Sequence, residues 1–351
     1  MFLSFIIPVY NTEEYVGICI KSLLEQDISK DEYEIICVND GSSDGSLEVL
    51  EQFSRKNTNV IVINQKNSGV CASRNKGLDA ARGEYIWFID SDDFIQKNIL
   101  GTLMKLVKET QCERLVISHY FFEDVRDMDE EKITENKMKV NTSWKDSVVW
   151  RSLFKKEFLT HHNLRFHYED LVYGEDALFM YEVKRCIPRI IEFPQPIYFH
   201  RARMGSASTD ITNEMERKRL LSTIHEAAIM RGYYEKGGNI LRVETANRFM
   251  SFLWGALFRT ASLSPREAKL MLGELRKAKL YPYKCPEECN ITRSFHPFNN
   301  QFIEKIFDKV YIKMHTTLGY HTMRGWLKLR KVKEKLADLK RKISKVVHVA
   351  M

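Results

Sequence analysis

No stretch of this 351-residue chain approaches the roughly 18 to 20 consecutive apolar residues that a helix needs to cross a bilayer. Membrane contact is therefore expected to be peripheral or through partners. The seven cysteines, Cys19, Cys37, Cys71, Cys112, Cys186, Cys285 and Cys289, are odd in number and follow no framework spacing. That argues against a disulfide-stapled secreted domain and for a reducing cytosol. Cys285 and Cys289 with His296 lack a fourth partner and match no standard finger spacing, so structural zinc is not expected. The apolar opening, residues 2–9, has neither the basic leader nor the small-residue cleavage site of a signal peptide and reads as a first buried strand. Internal repeats are missing too, and no nucleic-acid-binding motif accompanies the positive charge, so nucleic acid is not expected as a partner.

What is there is the composition of a globular enzyme: 44% hydrophobic and 29% charged residues, enough to bury a sizeable core in one large domain or two small ones. The net charge of +7 is unevenly placed, since residues 323–351 carry ten Lys/Arg against two acids. In that tail Leu329, Val332, Leu336, Leu339, Ile343 and Val346 alternate three- and four-residue steps, a stripe along one side of a helix near Trp326. Three readings fit it: an interfacial helix on an anionic leaflet, a short coiled coil that would make a homo-oligomer, or a helix on the protein's own body.

Apolar, β-branched-rich runs at residues 3–9, 33–38 and 60–63 alternate with helical stretches at 13–26 and 46–55. A third helical stretch, 69–82, leads to another strand-like run at 85–89. This alternation predicts an α/β fold over the first ~100 residues, a Rossmann-like, mostly parallel sheet flanked by helices, with ligands at the carboxyl ends of its strands. Polar residues gather at those ends: Tyr10-Asn11, Asn39-Asp40-Gly41-Ser42 and Asp90-Ser91-Asp92-Asp93. Residues 123–139 read as a solvated excursion or lid, and the chain reads as mostly helical from residue 214 onward.

Three carboxylates within Asp90-Ser91-Asp92-Asp93 repel one another, and a bound hard cation would relieve that; a solvated turn capping the next helix is the plainer reading. Asn39 to Ser46 forms a glycine-punctuated strand-to-helix turn in which Asp40 can accept from a base edge, or merely cap a helix. Asn67-Ser68-Gly69 opens a helix carrying Arg74, Asn75 and Lys76, so backbone N–H groups and a guanidinium can meet phosphate from one side. Glu175 and Asp176, taken alone, are two acids at a helix start.

Taken in order, Phe5-Ile6-Ile7-Pro8-Val9-Tyr10-Asn11, then Val38 to Ser46, then Ser73-Arg74-Asn75-Lys76-Gly77-Leu78, then Gly83 to Asp93, this chain resembles the family 2 glycosyltransferases of GT-A fold, of the bacterial polysaccharide-biosynthesis type. The resemblance is dense over about the first 100 residues and sparse to about Ser208. It implies a nucleotide-sugar-binding and catalytic domain over residues 1–213, a helical region at 214–322 and the basic amphipathic helix at 323–351. The implied activity is inverting, metal-dependent transfer of a sugar from a nucleoside diphosphate, by family habit a UDP-sugar, to a hydroxyl of a glycan or lipid-linked acceptor. A place at the cytoplasmic face of the membrane would suit it.

Carried onto this sequence, the resemblance puts Pro8, Tyr10 and Glu13 near the base, Asp40 on its edge and Arg74 near ribose or phosphate. Asp90 and Asp92 become the family's DxD pair for Mn²⁺ or Mg²⁺, with Asp93 in support. Asp176 becomes the catalytic base, with Glu175 positioning the acceptor, while His200, Arg201 and Arg203 would contact metal or phosphate. Trp150 reads as a core residue, with stacking on a sugar the alternative. Two rivals are a non-catalytic nucleotide-sugar-binding scaffold on the same fold and a sugar nucleotidyltransferase. The second usually begins with a glycine-rich basic phosphate loop, which residues 5–11 lack.

Overall fold

A computed structural model of the chain describes residues 1–123, 139–141, 147–167, 171, 174–202, 212–236 and 241–283. The lid stretch at 124–138, Arg203, the Cys285, Cys289 and His296 group and the amphipathic tail lie outside the described residues.

The first elements are β1 (Leu3–Val9), α1 (Glu13–Leu24), β2 (Tyr33–Asp40), α2 (Ser46–Lys56), β3 (Val60–Gln65), α3 (Gly69–Ala80) and β4 (Tyr85–Phe88). β1, β2 and β4 are apolar on both faces because helices cover both, which is why they appear in the sequence as nearly continuous hydrophobic runs. One polar residue interrupts β2. Glu34 is fully buried there, and its carboxylate accepts from Ser4 Oγ (2.7 Å), Arg82 N (2.6 Å) and Arg82 Nε (2.9 Å). A buried charge is tolerated because it is paired and hydrogen-bonded on both oxygens.

Past β4 come β5 (Phe94–Ile95), α4 (Leu100–Thr110), β6 (Arg114–Glu123), β7 (Lys139–Asn141), β8 (Ser152–Lys155), α5 (Lys156–His161), α6 (Glu175–Arg185) and β9 (Ile190–Ala202). Among the described residues the strands form one nine-stranded sheet in the order β3-β2-β1-β4-β8-β6-β9-β5, with β7 against β6. The expected parallel pairing holds for β3, β2, β1 and β4. Beyond β4 the sheet changes direction: β8 is antiparallel to β4 and β6, and β5 is antiparallel to β9, while β6 and β9 run parallel. The whole is thus a mixed sheet rather than a mostly parallel one. This reversal brings β9 alongside the turn that follows β4.

α3 lies close upon β1. A Cβ added at Gly77 would sit 2.3 Å from Ile6 Cγ2, so only glycine permits that approach. On the other side of the sheet Phe5, Trp87, Trp150 and Tyr198 belong to a core cluster that also takes in α1 and α4.

The chain divides into two compact units, Met1–Met215 and Glu216–Met351. In the second, α7 (Asn213–Glu235), α8 (Arg242–Ser262) and α9 (Pro265–Lys277) supply the helices. α9 starts on a capping box, Ser264 with Glu267, and has Pro265 in its first turn. Arg231 of α7 donates to the carbonyls of Ala278 (2.8 Å) and Lys279 (2.9 Å), which closes the end of α9. Among the described residues no helix is long and apolar enough to cross a membrane.

Gly77→Ala is expected to destabilise the first unit by about 1–3 kcal/mol, because the added methyl meets a fully buried β-branched side chain. A lower midpoint in urea unfolding checks it; unchanged or raised stability would mean that the packing between α3 and β1 can relax.

Candidate active site

At the carboxyl ends of β1 and β2 two polar loops are joined to each other. Asn11, in a left-handed conformation (φ 51°), accepts from Ser43 N (2.8 Å) and donates from its own N–H to Ser42 Oγ (3.1 Å). Thr12 N donates to Ser46 Oγ (2.9 Å), and Glu13 N to Asp44 Oδ2 (3.1 Å). Glu13 answers by accepting from Gly45 N, so its carboxylate joins the loops together. Thr12 Oγ1 then reaches Ser91 Oγ (3.1 Å), tying this pair of loops to the acidic turn after β4. Pro8 lies in β1 opposite Val38, and Tyr10 stands half exposed at the rim (50%).

Asp40 ends β2, and its position is set by β3. Gln65 pairs with it in the register and donates Nε2 to its Oδ1 (2.8 Å). The N–H of Ser68 reaches Oδ1 and that of Gly69 reaches Oδ2, both at 2.8 Å, so Asp40 caps the start of α3. Its Oδ2 retains a lone pair beyond this bond. Gly41 follows with φ 68°, and a Cβ there would meet Asn67 N at 2.7 Å.

In the second turn of α3, Arg74 points into the protein with only 4% of its side chain exposed. Nη1 donates to Asp176 Oδ1 (2.6 Å) and Glu175 Oε1 (2.9 Å), and Nη2 to Asp90 Oδ1 (3.3 Å). The guanidinium carbon lies 5.2 Å from the centroid of Phe166, itself stacked on Phe179 at 4.2 Å. Next to it, Asn75 holds both backbone groups of Phe166, donating to its carbonyl (2.7 Å) and accepting from its N–H (3.0 Å). Burial disfavours the charged guanidinium, but Asp176, Glu175 and Asp90 together outweigh it and hold Arg74 firmly protonated. Burial pushes the carboxyls of Asp90 and Asp176 upward, with Arg74 opposing. Asp176 Oδ2 also accepts from Val149 N (3.2 Å).

The acidic turn is braced by β9. Asp93 is buried, and its Oδ2 accepts from Tyr198 Oη (2.7 Å) while its Oδ1 accepts from Arg201 N (2.8 Å). The same Tyr198 hydroxyl receives Asp90 N–H at 3.2 Å. His200 turns Nδ1 to Asp93 Oδ2 at 3.0 Å; burial works against its charged form, yet Asp93 prevails and pushes it up to about 9. Trp150 lies between these two rings, stacked on Tyr198 (4.6 Å) and His200 (4.9 Å), and is itself only 3% exposed. It is a core residue, not a sugar platform.

Several expectations change here. The proposed ligands Asp90, Asp92 and His200 do not form a ready-made cage; among the described residues no three His, Cys, Asp or Glu side chains converge to hold a metal ion. His200 is oriented by Asp93 through Nδ1, and Nε2 is then the ring nitrogen that would ligate. Arg74 does not stand open to a phosphate, because its guanidinium faces three carboxylates. Nor does Arg201 form an exposed clamp: it is buried, with Nε on Asp92 O (2.9 Å) and its guanidinium 5.0 Å from the Tyr15 and Phe122 rings. Asp93, Tyr198 and Asn75 are braces that the sequence reading left unassigned or secondary. A signal for them existed, since Tyr198 and His200 are two apart on a strand and so share the face turned to Asp93.

Known proteins resemble this chain in sequence and fold. The profile of Glycosyl transferase family 2 matches residues 4–165. Glycosyltransferase EpsJ of Bacillus subtilis is 31% identical over 215 residues, covering 58% of this chain and 62% of EpsJ. Glycosyltransferase GlyA of Streptococcus pneumoniae serotype 4 is 31% identical over 223 residues, 59% of this chain and 31% of GlyA. The chain thus spans less than two thirds of either relative. Residues 1–349 of Staphylococcus aureus TarS, solved with UDP-GlcNAc, superimpose with a TM-score of 0.52 at 21% identity, covering 80% of this chain and 90% of that one, a likeness of fold. Residues 4–165, on a GT-A sheet with these motifs at its strand ends, thus match glycosyl transferase family 2.

Proposed function

We propose that the protein is an inverting, metal-dependent glycosyltransferase that moves a sugar from a nucleoside diphosphate, a UDP-sugar in the first instance, to a hydroxyl of a glycan or lipid-linked acceptor. The observation that carries this reading is the meeting of Asp176, from the first turn of α6, with Asp90, from the end of β4, at one guanidinium. A candidate base and a donor-side acid from distant parts of the chain share one site at the carboxyl ends of the parallel strands, where such sheets bind ligands. The choice of UDP rests on the family resemblance and on the TarS fragment, of like fold, solved with UDP-GlcNAc.

Asp90 and Asp92 suit a hard divalent cation, Mn²⁺ or Mg²⁺. Three carboxylates around Arg74 outnumber its single charge, Asp92 adds another acid nearby, and carboxylate oxygens are the donors these ions take. Bound there, the cation supplies neutralisation of the departing diphosphate. Tyr10 offers an exposed ring at the rim for the base, and Asp40 keeps an acceptor lone pair for its edge.

Asp176 takes the proton of the acceptor hydroxyl as that oxygen attacks the anomeric carbon from the face opposite the diphosphate. One displacement suffices, and no covalent nucleophile is needed. Burial that lifts the Asp176 carboxyl brings it closer to the working pH and makes it the stronger base. The tail at residues 323–351 would bring the enzyme to the cytoplasmic face of an anionic membrane through its stripe and its ten Lys/Arg, which suits a lipid-linked acceptor.

Calorimetric titration of UDP with Mn²⁺ is expected to show binding to wild type, loss of metal-dependent binding in Asp92→Ala, and retained binding in Asp176→Asn. Transfer by Asp176→Asn should fall by about 10²–10⁴-fold, the range for a removed general base; full transfer would overturn its assignment. Because the base acts ionised, kcat in wild type should be level at high pH and decline as pH falls through an apparent pKa above the usual carboxylate range; a flat profile down to pH 4 would remove Asp176 from that role. Deleting residues 323–351 should abolish flotation with anionic liposomes, and unchanged flotation would exclude the tail as the membrane contact.

A further inference from the structure

Arg74 is positioned as no ligand-binding arginine needs to be. Its side chain is 4% exposed, while Asp90, Glu175 and Asp176 are 30%, 12% and 15% exposed, so the acids border the site and the guanidinium lies behind them. The planar head has its two terminal nitrogens at a fixed spacing, one on Asp176 and Glu175, the other on Asp90. Its seat is held from several sides, although its buried Nε has no hydrogen-bond partner among the described residues. The start of α3 is capped by Asp40, Gly77 one turn on is pressed to Ile6, Phe166 lies beneath the guanidinium, and Asn75 holds the Phe166 backbone.

We infer that Arg74 is a positioning residue for the transfer reaction: a rigid crosspiece that fixes the base Asp176 relative to the donor-side acid Asp90, acting through these carboxylates and not by touching the nucleotide. The inference rests on the reading of Asp176 as the base and deepens it. In-line displacement needs the attacking hydroxyl and the departing diphosphate on opposite faces of one carbon. The groups serving the two ends must therefore hold a constant separation. Asp90 is at a strand end and Asp176 on a helix start, and among the described residues Arg74 is hydrogen-bonded to both. Glu175 accordingly serves to hold the guanidinium in register rather than to contact the acceptor.

Arg74→Lys keeps the charge but replaces the two-pronged head with a point donor that cannot span both acids. With Mn²⁺ present, the lysine variant should bind UDP within threefold of wild type and keep its donor KM within threefold, while kcat per folded molecule falls ~100-fold, the size of a misplaced reacting group. Loss of UDP affinity in proportion to turnover would make Arg74 a nucleotide ligand and overturn the inference, as would wild-type kcat in a folded lysine variant. A second test needs no activity and no metal. Melting temperatures of Asp90→Asn, Asp176→Asn and the double variant should be non-additive in the wild-type background and additive in Arg74→Lys. Additive shifts in both backgrounds would sink the crosspiece. If wild type transfers no sugar from any nucleoside diphosphate donor, the proposed function fails, while the melting cycle still decides whether the link exists.

Discussion

Three carboxylates crowded at the edge of a sheet would repel one another and expose the fold to strain unless a cation lay among them. Arg74 is that cation, contributed by α3 to acids from the turn after β4 and from α6. Removing one partner from a buried charged set leaves uncompensated charge at a cost of about 3–5 kcal/mol, so the three elements are held to one arrangement. Net stability matters less here than geometry. A guanidinium accepts its partners only in its own plane, and this converts charge pairing into placement.

A second, separate support acts on the acidic turn from the opposite side. Asp93 gathers the Tyr198 hydroxyl, the His200 ring and the Arg201 N–H, while the same hydroxyl receives the N–H of Asp90. The turn's backbone is thus held by β9 and the Asp90 carboxylate by α3. Asp92, partly exposed between them, remains at the surface of the turn. That division explains why adjacent acids of one short motif have different duties: Asp93 is inward and structural, Asp90 is shared with Arg74, and Asp92 is partly exposed. The mixed sheet makes this possible, since β9 reaches the turn only by pairing with β5 and with β6.

How much of this was legible in the residues depended on range. The alternation up to β4 could be read because strands buried on both faces leave unbroken apolar runs, and helices between them keep a different period. β8, four residues long, and β5, two residues long, leave no periodic trace, so the reversal of strand direction was not readable. Asp40 looked like a base-binding acid from its turn. Its bonds to Ser68, Gly69 and Gln65 arise only when β3 pairs beside β2, a contact that local sequence does not encode. Arg74 carried a readable hint. Gly77, three residues later on the same helix face, had to lie against the sheet, which turns Arg74 inward as well.

Sequence alone determined the family's motifs, their order along the chain and their place at strand ends, because hydrophobic period and turn chemistry act over a few residues and survive being read one stretch at a time. It also supplied the acids: Asp90, Asp92, Glu175 and Asp176 were all singled out. Tertiary structure decided their company. His200 went to Asp93, Arg201 to the back of the acidic turn and Arg74 beneath three carboxylates. The partner of a charged side chain is set by whichever opposite charge the folded chain brings near it, and here those partners come from elements far apart in sequence.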